Sequence, residues 1–117
     1  MNTINSLIAE IRNILSEKII QEVKVLDWQR SILKIRLYLF NDLFIQVYCN
    51  DRNSNTSFTL LFENERLYAR DKIDGNWHRH PFENSDFHNG SPDGSKEVTL
   101  SEFYRETLEI LAKESII

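Results

Sequence analysis

The chain carries three histidines, His78, His80 and His88, and all of them fall within eleven consecutive residues of a 117-residue sequence. An imidazole with an ordinary pKa of about 6.5 populates both protonation states near neutrality, so two of them can serve one substrate as base and acid. Two such rings flanking a phosphodiester, with His80 and His88 as the expected acid–base pair and Arg79 or a nearby cation on the developing charge, would cleave RNA without a metal or any other cofactor. The same stretch could instead hold zinc or a related divalent ion through His78, His80, Asp86 and His88. A third reading makes the histidines surface or hinge residues that hydrogen-bond their own loop. If residues 77–80 are extended, His78 and His80 share one side and Trp77 and Arg79 the other.

Other reactive side chains give weaker signals. Cys49 falls on the apolar side of an alternating run, where a thiol is usually a small packing residue rather than a nucleophile. Glu63, Glu65, Asp71 and Asp74 are carboxylates without a spacing that brings two of them into one pocket. Gly90 and Gly94 do not make a phosphate-binding loop, because neither opens a helix directly after a strand.

The scaffold that must position the histidines changes hydrophobic period twice, from helical to alternating and back. Ile4, Leu7, Ile8, Ile11, Ile14 and Leu15 recur at three- and four-residue steps and predict an amphipathic helix of about four turns starting near Asn2 or Thr3. At the other end Thr99 and Glu102 form a capping box, Val98 and Phe103 a hydrophobic staple, and Leu100, Phe103, Tyr104, Leu108 and Leu111 one helical face. Between them five β-branched and aromatic runs, at 19–28, 31–39, 43–50, 56–63 and 66–73, predict an antiparallel meander. The expected fold is therefore α+β, α-β-β-β-β-β-α, a single domain over 1–117 with both helices packed on one face of a five-stranded meander. Matching apolar sets put Leu39 opposite Leu43 across a three-residue turn, and a turn at Asn64-Glu65 would pair Phe62 with Leu67 and Leu60 with Ala69. The polar stretch at about 74–98 is expected to be a long histidine-bearing loop at one end of the sheet, pinned by Trp77, Phe82 and Phe87.

In that arrangement the outer face of the sheet collects Lys34, Arg36, Tyr38, Tyr48, Tyr68, Arg70 and Lys72, a basic, tyrosine-bearing surface suited to stacking bases and holding phosphates. It is equally the composition of an ordinary solvated antiparallel face. Fourteen Lys and Arg against 18 acidic residues give a net charge of −4, so any attraction for nucleic acid must be local. A single cysteine excludes an internal disulfide, and the start of the chain has neither a secretory signal nor a membrane-length apolar run, so a cytoplasmic protein with no membrane partner is expected.

The order of elements and the histidine stretch resemble the TumE family, small bacterial and archaeal toxins of toxin–antitoxin pairs. The residues that carry the likeness are 33–47 for the hairpin, His80-Pro81 with His88 further on, and Thr99-Leu100-Ser101-Glu102 opening the last helix. The resemblance implies a growth-inhibiting toxin, acting on RNA and neutralised by a protein antitoxin, with His80, Pro81 and His88 at motif positions. The alternatives from other classes are a non-catalytic binding module that uses the basic sheet face for nucleic acid or an acidic protein, and a structural or regulatory protein, in either case compatible with a homodimer.

Overall fold

A computed structural model describes residues 3–82 and 94–114. The element order is α1 (Thr3–Ser16), β1 (Glu22–Trp28), β2 (Ile32–Phe40), β3 (Leu43–Asn50), β4 (Asn55–Phe62), β5 (Glu65–Ile73), β6 (Asn76–His80) and α2 (Leu100–Lys113). All six strands form one antiparallel sheet in chain order. The expected α+β plan with terminal helices holds, but the sheet has six strands rather than five.

Both helices bury the stripe that their periodicity marks. Ile4, Leu7, Ile11 and Ile14 of α1 and Leu100, Phe103, Tyr104 and Leu111 of α2 join Leu33, Ile35, Leu37, Ile45, Val47, Phe58 and Leu60 of the sheet in one core. Each fully buried aliphatic side chain contributes roughly 1.5–3 kcal/mol. The capping box forms: Glu102 N donates to Thr99 Oγ1 at 3.1 Å and Thr99 N to Glu102 Oε1 at 2.9 Å. The backbone bond holds the Glu102 carboxyl below its usual pKa. A fork from Arg105 to Glu17, at 3.2 and 2.9 Å, links the exposed sides of the helices.

Strand pairing departs from expectation at three points. In the second hairpin Phe40 pairs with Leu43 across the two-residue Asn41-Asp42 turn, and a bulge at Leu39 then restores Leu37 opposite Ile45, as the matching apolar sets require. In the fourth hairpin the turn is Glu63-Asn64, both at positive φ (52° and 65°), rather than Asn64-Glu65. Phe62 faces Glu65 and Leu61 faces Arg66, and the extra residue Leu67 bulges, so that Leu60 pairs with Tyr68, Phe58 with Arg70 and Thr56 with Lys72. A one-residue slip exchanges the two faces of a strand. Tyr68, Arg70 and Lys72 therefore lie on the helix side, not on the outer face where the simple alternation puts them. The third departure is β6, which occupies the start of the expected loop: Asp74 and Gly75, at φ 51° and 84°, make a two-residue turn that pairs Ile73 with Asn76.

Turning Tyr68 and Arg70 inward is stabilised from a distance. Glu106 of α2 accepts from Tyr68 Oη at 2.8 Å, from Arg70 Nε at 3.2 Å and from Arg70 Nη2 at 2.7 Å. Desolvation alone would lower the Arg70 pKa, but the bonds to Glu106 and Tyr68 outweigh it and hold the guanidinium above its ordinary value. Burial and the neighbouring Glu106 carboxylate push Tyr68 up to about 12. At the far edge β1 pairs only with β2, carries a bulge between Val25 and Asp27, and leaves Val23, Val25, Leu26 and Trp28 exposed. Among the described residues no helix is long and apolar enough to cross a membrane.

Candidate functional site

The β5–β6 hairpin assembles the site. Because the turn is Asp74-Gly75, Asp71 and His78 lie opposite one another and His80 lies opposite Ala69. Side chains two apart on a strand share a face, so His78 and His80 project together from β6 and Asp71 projects beside them from β5. His80 Nε2 stands 3.3 Å and His78 Nε2 3.7 Å from the same oxygen, Asp71 Oδ2. The two rings meet edge to face with centroids 5.2 Å apart. Ser57 of β4 donates to the other oxygen, Asp71 Oδ1, at 2.7 Å, and its hydroxyl lies 3.2 Å from that of Thr59. The carboxylate is thereby held by one oxygen and presents the other to both imidazoles.

Exposure divides the three. His80 is buried at 2%, its small opposite neighbour Ala69 lies wholly beneath the surface, and the His78 and Asp71 side chains keep 16% and 14% of their surface in contact with solvent. His80 forms the floor, and the partly exposed His78 and Asp71 the rim. A pocket of about 220 Å³, lined by Tyr48, Ser57, Asp71 and Ile73 among others, adjoins the rim.

Register carries the outer face across the whole sheet in rows. One row runs Asp27, Lys34, Tyr48, Ser57, Asp71, His78, and the next Lys24, Arg36, Gln46, Thr59, Ala69, His80. Both are polar, with Lys24 and Asp27 on β1, Arg36 and Lys34 on β2 and imidazoles on β6, four strand spacings or roughly 19 Å from β2. Arg36 Nε donates to Gln46 Oε1 at 3.1 Å while its guanidinium lies 4.8 Å from the Phe44 ring centre, and Lys24 Nζ lies 5.1 Å from that of Tyr38. These contacts pre-orient the cations and leave Lys34, Arg36, Tyr38 and Tyr48 half-buried on the outer face.

Of the residues singled out from sequence, His78 and His80 come together as their spacing predicts. Arg79 does not join them: it projects from the opposite side of β6, opposite Arg70, and lines a separate pocket of about 250 Å³ with Tyr68, Pro81, Phe82, Glu106 and Ile110. Tyr68, Arg70 and Lys72 leave the outer face for the reason given above. His88 and Asp86 lie outside the described residues, as does Phe87, whereas Trp77 and Phe82 pack against the core as expected. Cys49 is buried in that core, and burial first, then Asp51, pushes its thiol up to about 11, which excludes thiolate chemistry near neutrality. The residues that sequence inspection passed over are Asp71 and Ser57. The usable signal was Asp74-Gly75, a strong two-residue hairpin turn, since folding the chain back there places Asp71 opposite His78.

No known protein family, curated protein or solved structure compared with the chain matches it.

Proposed function

We propose that this chain is a toxin-like protein that acts on RNA, with the Asp71–His78–His80 cluster as its reactive centre and the polar rows of the outer sheet face as its RNA track. The reading rests on one observation: two imidazoles converge on a shared carboxylate at one end of polar rows that carry Lys34 and Arg36 on β2. A single strand lying along the rows would meet Lys34 and Arg36 through its phosphates and Tyr48 through a base.

The chemistry differs from two histidines flanking a phosphodiester, because both Nε2 atoms address the same Asp71 oxygen. His78, the more exposed ring, takes the proton of the ribose 2′-hydroxyl, and Asp71, with Oδ2 3.7 Å from His78 Nε2, lies beyond hydrogen-bond reach but close enough to attract the ring once it is protonated. The 2′ oxygen attacks phosphorus and the bond to the 5′ oxygen breaks. A cyclic phosphate and a 5′-hydroxyl result, the departing oxygen taking its proton from solvent. A toxin of this kind requires a protein antitoxin, and the exposed apolar edge of β1 is the surface we assign to it.

Incubation of the purified chain with labelled single-stranded RNA tests this. His78→Ala and Asp71→Asn should each lower cleavage by about 100-fold or more, the usual contribution of general base catalysis. Lys34→Ala with Arg36→Ala should weaken RNA binding and flatten its salt dependence. Cleavage undiminished in His78→Ala would remove the mechanism, and binding lost only in the cation pair, without cleavage by the parent chain, would leave a non-catalytic binding module.

A further inference from the structure

We infer that Asp71, His78 and His80 form a binding site for a divalent transition-metal ion of the zinc class. The ligand atoms of the three side chains all lie within 4.8 Å of one another. Ligands bonded at about 2.0–2.1 Å to tetrahedral zinc stand roughly 3.4 Å apart, and the two histidine–aspartate separations of 3.3 and 3.7 Å bracket that spacing. Two imidazoles and one carboxylate suit zinc and its neighbours, whereas magnesium and calcium call for oxygen donors throughout. Three protein ligands leave a fourth position for water or a substrate oxygen.

The backbone supplies the preorganisation. His78 and His80 are alternate residues of one strand, and Asp71 is the ladder partner of His78, so hydrogen bonds of the sheet fix all three Cα positions before an ion arrives. Ser57 adds the outer support that ligating carboxylates usually have, holding Asp71 Oδ1 and leaving Oδ2 toward the imidazoles. Asp71 and His78, with 14% and 16% of their side chains in solvent, form the side nearest water, and the buried His80 closes the base.

The site also sets a condition on the proposed cleavage, and this part rests on that reading. When one nitrogen of a neutral imidazole holds a metal, the other carries the ring proton, so neither has a lone pair free to accept another and a loaded site cannot run base catalysis through His78.

Titrating cobalt(II) into the metal-free, full-length chain, followed by its visible ligand-field bands, and zinc competition against a chromophoric chelator test the inference without RNA. One equivalent should bind. Asp71→Asn and His78→Ala should weaken binding by about 100-fold or more, and Ser57→Ala, which touches no metal, by about 10-fold. Far-UV circular dichroism establishes that each variant folds, and if the buried His80→Ala does not, the partly exposed His78 decides. Absence of stoichiometric binding, or binding unchanged in His78→Ala, overturns the site. Since uptake and RNA cleavage are read separately, either can fail while the other stands. Cleavage that requires the metal would keep the site and remove the metal-free mechanism.

Discussion

Removing Glu106 should destabilise this protein by stripping a buried guanidinium of its carboxylate. The carboxylate accepts three hydrogen bonds, one from Tyr68 and two from Arg70, and the guanidinium it neutralises is 3% exposed, with one further bond to the Gly94 carbonyl at 3.5 Å. Deleting one member of a buried ion pair costs about 3–5 kcal/mol, because the other charge stays desolvated. Glu106 keeps 30% of its side chain in water, so solvent can enter and partly replace it, which puts Glu106→Ala near the lower end, at about 3 kcal/mol. In a chain of this length that lowers Tm by roughly 12 °C. Glu106→Gln should not rescue it, since an amide nitrogen at the Oε2 position would face the Arg70 Nη2 donor 2.7 Å away. The assay is guanidinium unfolding at pH 7, run as a cycle in a Tyr68→Phe background so that no hydroxyl loses its acceptor. There Arg70→Met with Glu106→Leu should return to within about 1 kcal/mol of its parent, while the Glu106 change alone does not. A Glu106→Ala loss below about 1 kcal/mol, or losses at 70 and 106 that simply add, would refute the account.

Two further outcomes follow from the same geometry. Tyr68 has a folded pKa of about 12 against an ordinary 10, so its neutral form contributes about 2–3 kcal/mol that is fully present below pH 10 and lost as pH rises through 12. Stability measured between pH 9 and 12 should fall less steeply in Tyr68→Phe, and an unchanged slope would contradict the raised pKa. Thr99→Ala, which removes half of the capping box, should cost about 1 kcal/mol by denaturant midpoint, and Thr99→Ser nearly nothing.

Much of this fold is legible where apolar side chains alone decide. The stripes of α1 and α2, the cap at Thr99 and the β2–β3 register follow from residues that each have one way to leave water. β5 is different, because Leu67 and Ala69 offer a plausible inner face and so do Tyr68 and Arg70. The second choice wins because Glu106, far along the chain, supplies the carboxylate that makes a buried guanidinium tolerable, and no local pattern announces that partner. β6 was obscured by composition: an Asn-Trp-His-Arg-His segment reads as loop, although the Asp74-Gly75 turn before it is a hairpin signal. The histidine pair was accordingly visible from its spacing and its carboxylate could be reached from the Asp74-Gly75 turn, while the sheet face that the cluster occupies was hidden behind the bulge at Leu67.

The unpaired edge of β1 has a consequence for how the protein behaves when concentrated. A strand with free amides and four surface apolar residues invites end-to-end stacking of whole sheets. The irregularity at Leu26 interrupts the straight row of donors and acceptors that such growth needs, and Lys24 and Asp27 put charge beside it. Deleting Leu26 would smooth that row, and the expected result is growth of ribbons from the β1 edge.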